Sequence, residues 1–203
     1  MKPLKRIFDF IGSVFGLLFL APLFGLLALL IKWDDGGPIF FRQERIGYRG
    51  KPFRMVKFRT MRVVQPPQSK LLTIGDDPRI TRVGKFLRKT KMDEFPQLIN
   101  VFKGEMSLVG PRPEVARYVD KYNAAQRKVL DLIPGITDPA SLLFRNESDL
   151  LALAEDPEGR YVSEIMPQKI RINLAYAETA DLFSDLKIIL RTLRVLAPIT
   201  VRA

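Results

Sequence analysis

A chain of 203 residues, 47% of them hydrophobic, can build one compact domain with a real core and still carry a short appendage. Its 33 Lys and Arg outnumber 22 Asp and Glu to give a formal charge of +11, which points to anionic partners such as lipid headgroups, nucleotide phosphates or nucleic acid. The absence of His and Cys excludes a disulfide framework, thiolate nucleophiles, imidazole bases and the common His/Cys zinc sites, so secretion is not indicated and the cytoplasmic side is the default. If the chain is an enzyme, its nucleophile or base is a carboxylate, helped by Arg, Lys or an oxygen-bound metal such as Mg²⁺.

Residues 10–31 carry no charge and lie between Asp9 and Lys32. As a straight helix they would reach roughly 33 Å, enough for a hydrocarbon core of about 30 Å. Three features argue against a simple span. Basic residues flank both ends, which suits two cytosolic ends. Pro22 interrupts the middle of the run. No second apolar stretch returns the chain, so a span would strand the basic half away from cytosolic nucleotides. The expectation is a re-entrant hairpin over residues 1–34, dipping into one leaflet and bent near Ala21-Pro22, followed by a cytosolic domain over 35–203; an ordinary span is the alternative. A signal peptide fits less well, because no polar, small-residue cleavage site follows. Asp9 is expected to pair with Lys5 or Arg6.

Asp34-Asp35-Gly36-Gly37-Pro38 marks a boundary. Two extended segments, about 39–46 and 52–60, flank a turn at Gly47–Gly50 and predict a β-hairpin. Its basic positions Arg42, Arg45, Arg54, Lys57 and Arg59 read by themselves as a solvated face. Residues 63–78 form a Pro-rich connector, in which Asp76-Asp77 reads as a turn before a helix rather than as a metal pair.

Ile80, Val83, Phe86 and Leu87 recur at helical spacing over about 79–90, with Arg79, Arg82, Lys85, Arg88 and Lys89 between them. Thr90-Lys91-Met92 breaks the pattern. Asp93 then stands at an N-cap position, with Pro96 in the next first turn and Gly104 as a closing residue. Asp93-Glu94 is thus a carboxylate pair in a cationic setting, and the residues allow two readings: a cap beside a solvated acid, or a catalytic pair held ionised by a helix terminus. Arg112, fixed between Pro111 and Pro113, suits bidentate recognition of a phosphate.

Residues about 114–131 predict a scaffold helix. Arg145-Asn146-Glu147 either contacts substrate or caps a helix over 148–154. Residues 167–197 hold two helical patterns around 180–184. The last sets Leu186, Ile189, Leu190, Leu193 and Leu196 against Lys187, Arg191 and Arg194, a basic amphipathic helix that suits either an anionic membrane surface or the core. The predicted fold class is α+β, predominantly helical, with a short β-hairpin and amphipathic interfacial helices.

The run Arg88 to Pro113, RKTKMDEFPQLINVFKGEMSLVGPRP, resembles the signature of the bacterial sugar transferases, specifically the small single-domain monotopic phosphoglycosyl transferases. Weaker similarity extends from Lys5 to about Leu196. The resemblance implies the same re-entrant hairpin, although relatives often have Ser where Ala21 precedes the proline. It makes Lys57 and Arg59, in Lys57-Phe58-Arg59-Thr60-Met61, candidates for phosphate contacts or neighbours of a metal site. Pro134-Gly135-Ile136-Thr137 matches a family segment whose usual next glycine is here Asp138, a departure that bears on the donor used.

The reaction implied by the resemblance moves a sugar 1-phosphate from a UDP-sugar to a polyprenol phosphate such as undecaprenyl phosphate, at the cytoplasmic face of the bacterial inner membrane, initiating glycoconjugate or exopolysaccharide synthesis. Asp93 would be the nucleophile of a covalent phosphosugar intermediate, Glu94 a ligand of Mg²⁺, and Arg88, Arg112 and Lys57 the cations that screen the donor. Two other readings stand beside it: direct attack by the lipid phosphate without a covalent intermediate, or a non-catalytic basic membrane protein that binds or scaffolds. Nucleic acid is not an expected partner, because no nucleic-acid motif or interleaved aromatics accompany the basic run. Monomer and homodimer both remain open.

Overall fold

The computed structural model describes residues 3–62 and 77–196. The Pro-rich connector therefore lies outside the described residues apart from residues 77 and 78, where Asp77 accepts hydrogen bonds from Arg79. The chain is predominantly helical, with two small two-stranded sheets among the described residues.

Helix α1 (Pro3–Asp35) is continuous, with Pro22 inside it. The expected bend at Ala21-Pro22 is thus no interruption of the helix: proline removes one backbone bond, and an apolar run on both sides carries the helix past it. Among the described residues it is the one helix long and apolar enough to cross a membrane, yet only 11% of its most apolar window is buried. It is no core helix.

Both ends of α1 pack on the same body. Near the start, Lys5 Nζ donates to Val109 O (3.1 Å) and to Asp185 (2.5 Å), and Arg6 donates to the carbonyls of Val101 and Phe102. At the far end, Asp34 accepts from Val83 N (2.9 Å), and Asp35 pairs with the buried Arg59. Phe15, Leu18, Phe19, Leu29 and Trp33 are left exposed. Asp9 is fully buried and accepts from Leu108 N (3.0 Å), so it ties α1 to the body instead of pairing with Lys5 or Arg6.

Strands β1 (Phe40–Ile46) and β2 (Pro52–Phe58) form the expected antiparallel hairpin. Its inner face reaches α1 through Phe58, which packs with Leu27, Ile31 and Leu87. Helix α2 (Arg82–Thr90) starts at Thr81, whose Oγ1 accepts from Gly84 N, and ends at Lys91 in a left-handed conformation (φ 55°). The turn Met92–Gln97 leads into α3 (Leu98–Lys103). Within α3, Asn100 is buried and crosslinks to β2: Oδ1 accepts from Val56 N (2.9 Å), while Nδ2 donates to Arg54 O and to Glu105.

Strand β3 (Ser107–Val109) pairs in parallel with β4 (Gly135–Thr137), a sheet the sequence did not announce. Three-residue strands leave too little alternation to detect. The scaffold helix expected over 114–131 is instead two short ones, α4 (Ala116–Val119) and α5 (Ala124–Arg127), because Asn123 forms a reciprocal capping box with Gln126 and starts a new helix. After α6 (Pro139–Leu143), α7 (Glu147–Ala152) and α8 (Pro157–Arg160), helix α9 (Met166–Thr179) packs its Met166 and Ile170 with Tyr118, Tyr122, Val129 and Tyr161 in the largest apolar cluster.

Helix α10 (Leu182–Leu196) buries Asp185 and Ile188 but leaves Phe183, Leu186, Leu190 and Leu193 exposed. Of the leucines expected on one face, Leu186, Leu190 and Leu193 are thus turned outward, while Lys5 ties the buried Asp185 of α10 to α1.

Candidate active site

Four of the sequence-singled residues converge. Asp93 and Glu94 stand on the turn between α2 and α3, Lys57 comes from β2, and Arg112 from the loop after β3. Glu94 is the hub: its Oε1 accepts from Lys57 Nζ (3.0 Å) and Arg112 Nη2 (2.5 Å), and its Oε2 from Arg112 Nη1 (2.9 Å). Burial by itself would push Glu94 up, but Arg112 and Lys57 outweigh it and hold the carboxyl well below the usual glutamate range. Arg112 is raised in turn, chiefly by Glu94. Burial pulls Lys57 down, with Glu94 opposing.

Asp93 is 8% exposed, and its Oδ1 finds no hydrogen-bond partner among the described residues. It does not cap a helix. It lies inside the Met92–Gln97 turn behind Lys91, and no side chain caps that turn. The expected N-cap position is therefore corrected; burial first, then Glu94, raise the Asp93 pKa, while Lys57, Lys91 and Arg88 oppose them. Arg88 is half-buried at the end of α2, within electrostatic reach of Asp93.

Arg59 is not in this cluster. Its guanidinium is committed to Asp35 and to the Pro38 and Met61 carbonyls, and fastens the end of α1 to β2. Lys57 and Arg59 are both withdrawn from solvent, unlike the solvated strand face expected from their positions, whereas Arg42 and Arg54 are exposed. Asp138 is fully buried and caps α6 by accepting from Ser141 N (2.9 Å); it lies within electrostatic reach of Arg112. Glu147 is drawn to Lys169 (2.7 Å).

Arg45 is the residue that strand position concealed. It donates to Pro113 O (3.2 Å) and lies 3.6 Å from Glu114, while Ile46 N donates to Glu114 O (2.8 Å). On its other side the Arg112 loop is held by Gly110 N to Thr137 O and Gly135 N to Pro111 O, both 3.0 Å. The two glycines touch: a Cβ on Gly135 would lie 2.7 Å from Gly110 Cα, against backbone that cannot swing aside. Gly135→Ala is accordingly expected to lower Tm and to raise the donor KM by displacing Arg112, measurable by thermal melts and steady-state kinetics; a variant that melts and turns over as the parent does would contradict that role.

The oxygens present suit a magnesium ion that arrives with a diphosphate. Mg²⁺ takes one or two carboxylates plus substrate phosphates. Asp93 Oδ1 is unpartnered, and Glu94 Oε2 accepts one bond, leaving a second lone pair. Among the described residues no group of three acidic side chains forms a cage for a bare ion. What the cluster can do is bind a multiply charged anion beside a carboxylate with a free oxygen.

The chain is also similar to known proteins. The chain is 37% identical over 94% of its length to the galactosyl transferase CpsE of Streptococcus agalactiae, covering 41% of that protein. It is 35% identical over 93% of its length to the UDP-glucose:undecaprenyl-phosphate glucose-1-phosphate transferase of Escherichia coli, covering 39% of it. A transferase of the same name from Caulobacter vibrioides is 38% identical over 93% of this chain and 67% of the relative. The chain thus spans about two-fifths of the first two relatives and two-thirds of the third. A family model, described as bacterial sugar transferase, matches residues 1–198, and the chain belongs to that family.

Proposed function

We propose that the protein transfers a sugar 1-phosphate from a UDP-sugar to undecaprenyl phosphate or a similar polyprenol phosphate. The observation that carries this reading is Glu94 clasped by Arg112 and Lys57 beside a buried Asp93 oxygen with no partner. In the proposed first step an Asp93 carboxylate oxygen bonds to the sugar-proximal phosphorus as the bond from that phosphorus to UMP breaks. In the second, an oxygen of the lipid phosphate bonds to the same phosphorus and the Asp93 oxygen leaves.

Lys57, Arg88 and Arg112 supply the positive field that lets two anions meet, and Arg112, pre-set between its prolines, orients the diphosphate. Mg²⁺ held by Glu94 would neutralise charge developing on the departing UMP. The first step needs Asp93 ionised. Because burial and Glu94 raise its pKa, kcat/KM is expected to fall on the acid side with a midpoint above the ordinary aspartate value of about 3.9. Arg88→Gln removes an opposing cation and should move that midpoint further up. A pH–rate profile unaffected by the substitution would count against this electrostatic coupling.

The exposed apolar faces of α1 and α10 support a monotopic seat in one leaflet on the cytoplasmic side of the inner membrane. Both ends of α1 pack on one body, which fits entry and return at the same face rather than a crossing. At that depth the lipid phosphate reaches the site without extraction of its tail. UMP release from a panel of UDP-sugars with undecaprenyl phosphate tests the reading; no release with any donor would sink it.

A further inference from the structure

Helix α10 carries two stripes on its outer side. Phe183, Leu186, Leu190 and Leu193 recur at helical spacing and are between 41% and 65% exposed. Beside them run Lys187, Arg191 and Arg194, at the same spacing, exposed and with no ion pair among the described residues. Lys187 Nζ lies over the Phe183 ring, 4.5 Å from its centroid, so that the charge borders the apolar surface. The nearby acids are committed elsewhere. Asp185 is buried and accepts from Lys5 and Tyr176, and Asp181, just before the helix, accepts from Ser184 N at 2.7 Å.

The inner side of α10 rests on the sheet that presents Arg112. Thr192 Oγ1 lies 2.7 Å from Thr137 Oγ1, and Thr137 O accepts from Gly110 N. Lys5 Nζ donates to both Asp185 and Val109 O, so α10, α1 and the end of β3 meet at one ammonium. Leu4 and Ile7, on the turn of α1 that carries Lys5, are exposed as well.

We propose that the outer face of α10 is a binding surface for anionic phospholipid, and that filling it steadies the β3–β4 sheet and with it the Arg112 loop. The inference rests on the leaflet seat proposed above and adds a headgroup chemistry to it. An apolar stripe alone is satisfied by any bilayer. Three cations along its border gain nothing from neutral headgroups, whereas each basic residue near an anionic surface strengthens binding roughly fivefold. A second copy of the chain is disfavoured as the occupant, because each copy carries +11 and a two-fold contact would bring the same basic stripes together.

Hydrogen exchange of the full chain in nanodiscs of phosphatidylcholine, or of an equal mixture with phosphatidylglycerol, tests the assignment. In the parent, phosphatidylglycerol is expected to slow exchange of the α10 amides by about tenfold or more, and to slow the Gly110 and Gly135 amides with them. High salt should weaken the response, an arm that needs no variant. The triple variant Lys187→Gln, Arg191→Gln, Arg194→Gln should behave as the parent in phosphatidylcholine and lose the response to phosphatidylglycerol. Parent α10 exchanging alike in both lipids would overturn the assignment, as would a triple variant that responds as the parent does. Slowing confined to α10, with Gly110 and Gly135 unmoved, would overturn the link to Arg112. Protection that rises with protein concentration and not with phosphatidylglycerol would assign the face to a second copy. Parent protein that enters nanodiscs of neither composition overturns the leaflet seat itself, and this inference with it, whereas parent protein that enters both and releases UMP while α10 ignores the headgroup overturns this inference alone.

Discussion

Asp93→Asn is expected to abolish turnover, by a factor on the order of 10³–10⁶ if the carboxylate is the nucleophile, while the protein stays folded and membrane-associated. Folding should survive because Asp93 Oδ1 has no partner to lose and because burial already disfavours the charge that the substitution removes. The asparagine keeps the shape of the side chain and loses the nucleophilic oxygen anion. Detergent-solubilised variant with a parent-like melt and no detectable UMP release is the expected pair of results. Turnover within about tenfold of the parent would assign the attack to another group.

Glu94→Gln is expected to fail differently, in stability as well as in rate. The carboxylate separates Lys57 from Arg112, and its side chain is only 15% exposed. Exchanging it for an amide leaves two neighbouring cations with no anion between them. Removing one partner from a buried charge cluster costs about 3–5 kcal/mol, and partial exposure of Arg112 places this case near 3. For a domain of this size that is roughly 6–12 °C in Tm. Turnover should fall together with stability, and the Mg²⁺ dependence should weaken. A melt within about 2 °C of the parent would mean that the clasp contributes little, and an unchanged Mg²⁺ titration would contradict the ligand role.

Much of this site is legible in one dimension because its chemistry is concentrated in one stretch. Asp93, Glu94 and Arg112 fall within 20 residues, and Arg112 is announced by its flanking prolines. The apolar run, the hairpin and the helix ending at Thr90 are read from periodicity and from Gly and Pro alone. What escaped reading depends on long-range partners. Arg59 looks like a phosphate ligand by the family resemblance, yet Asp35, 24 residues earlier, takes its guanidinium.

Asp93 looks like a cap, yet the chain turns left-handed at Lys91 and places it inside a tight turn, where burial raises its pKa. Arg45 reads as a strand charge because nothing local announces Pro113 or Glu114 as its neighbours.

Mass spectrometry of the intact protein, mixed with a UDP-sugar and Mg²⁺ but no lipid acceptor, probes the proposed nucleophile most directly. The expected result is a mass increase of one sugar phosphate, stoichiometric UMP, and a modified peptide that contains Asp93; addition of undecaprenyl phosphate should then discharge the adduct. UMP released only when the acceptor is present, with the protein mass unchanged throughout, would contradict it and favour direct attack by the lipid phosphate.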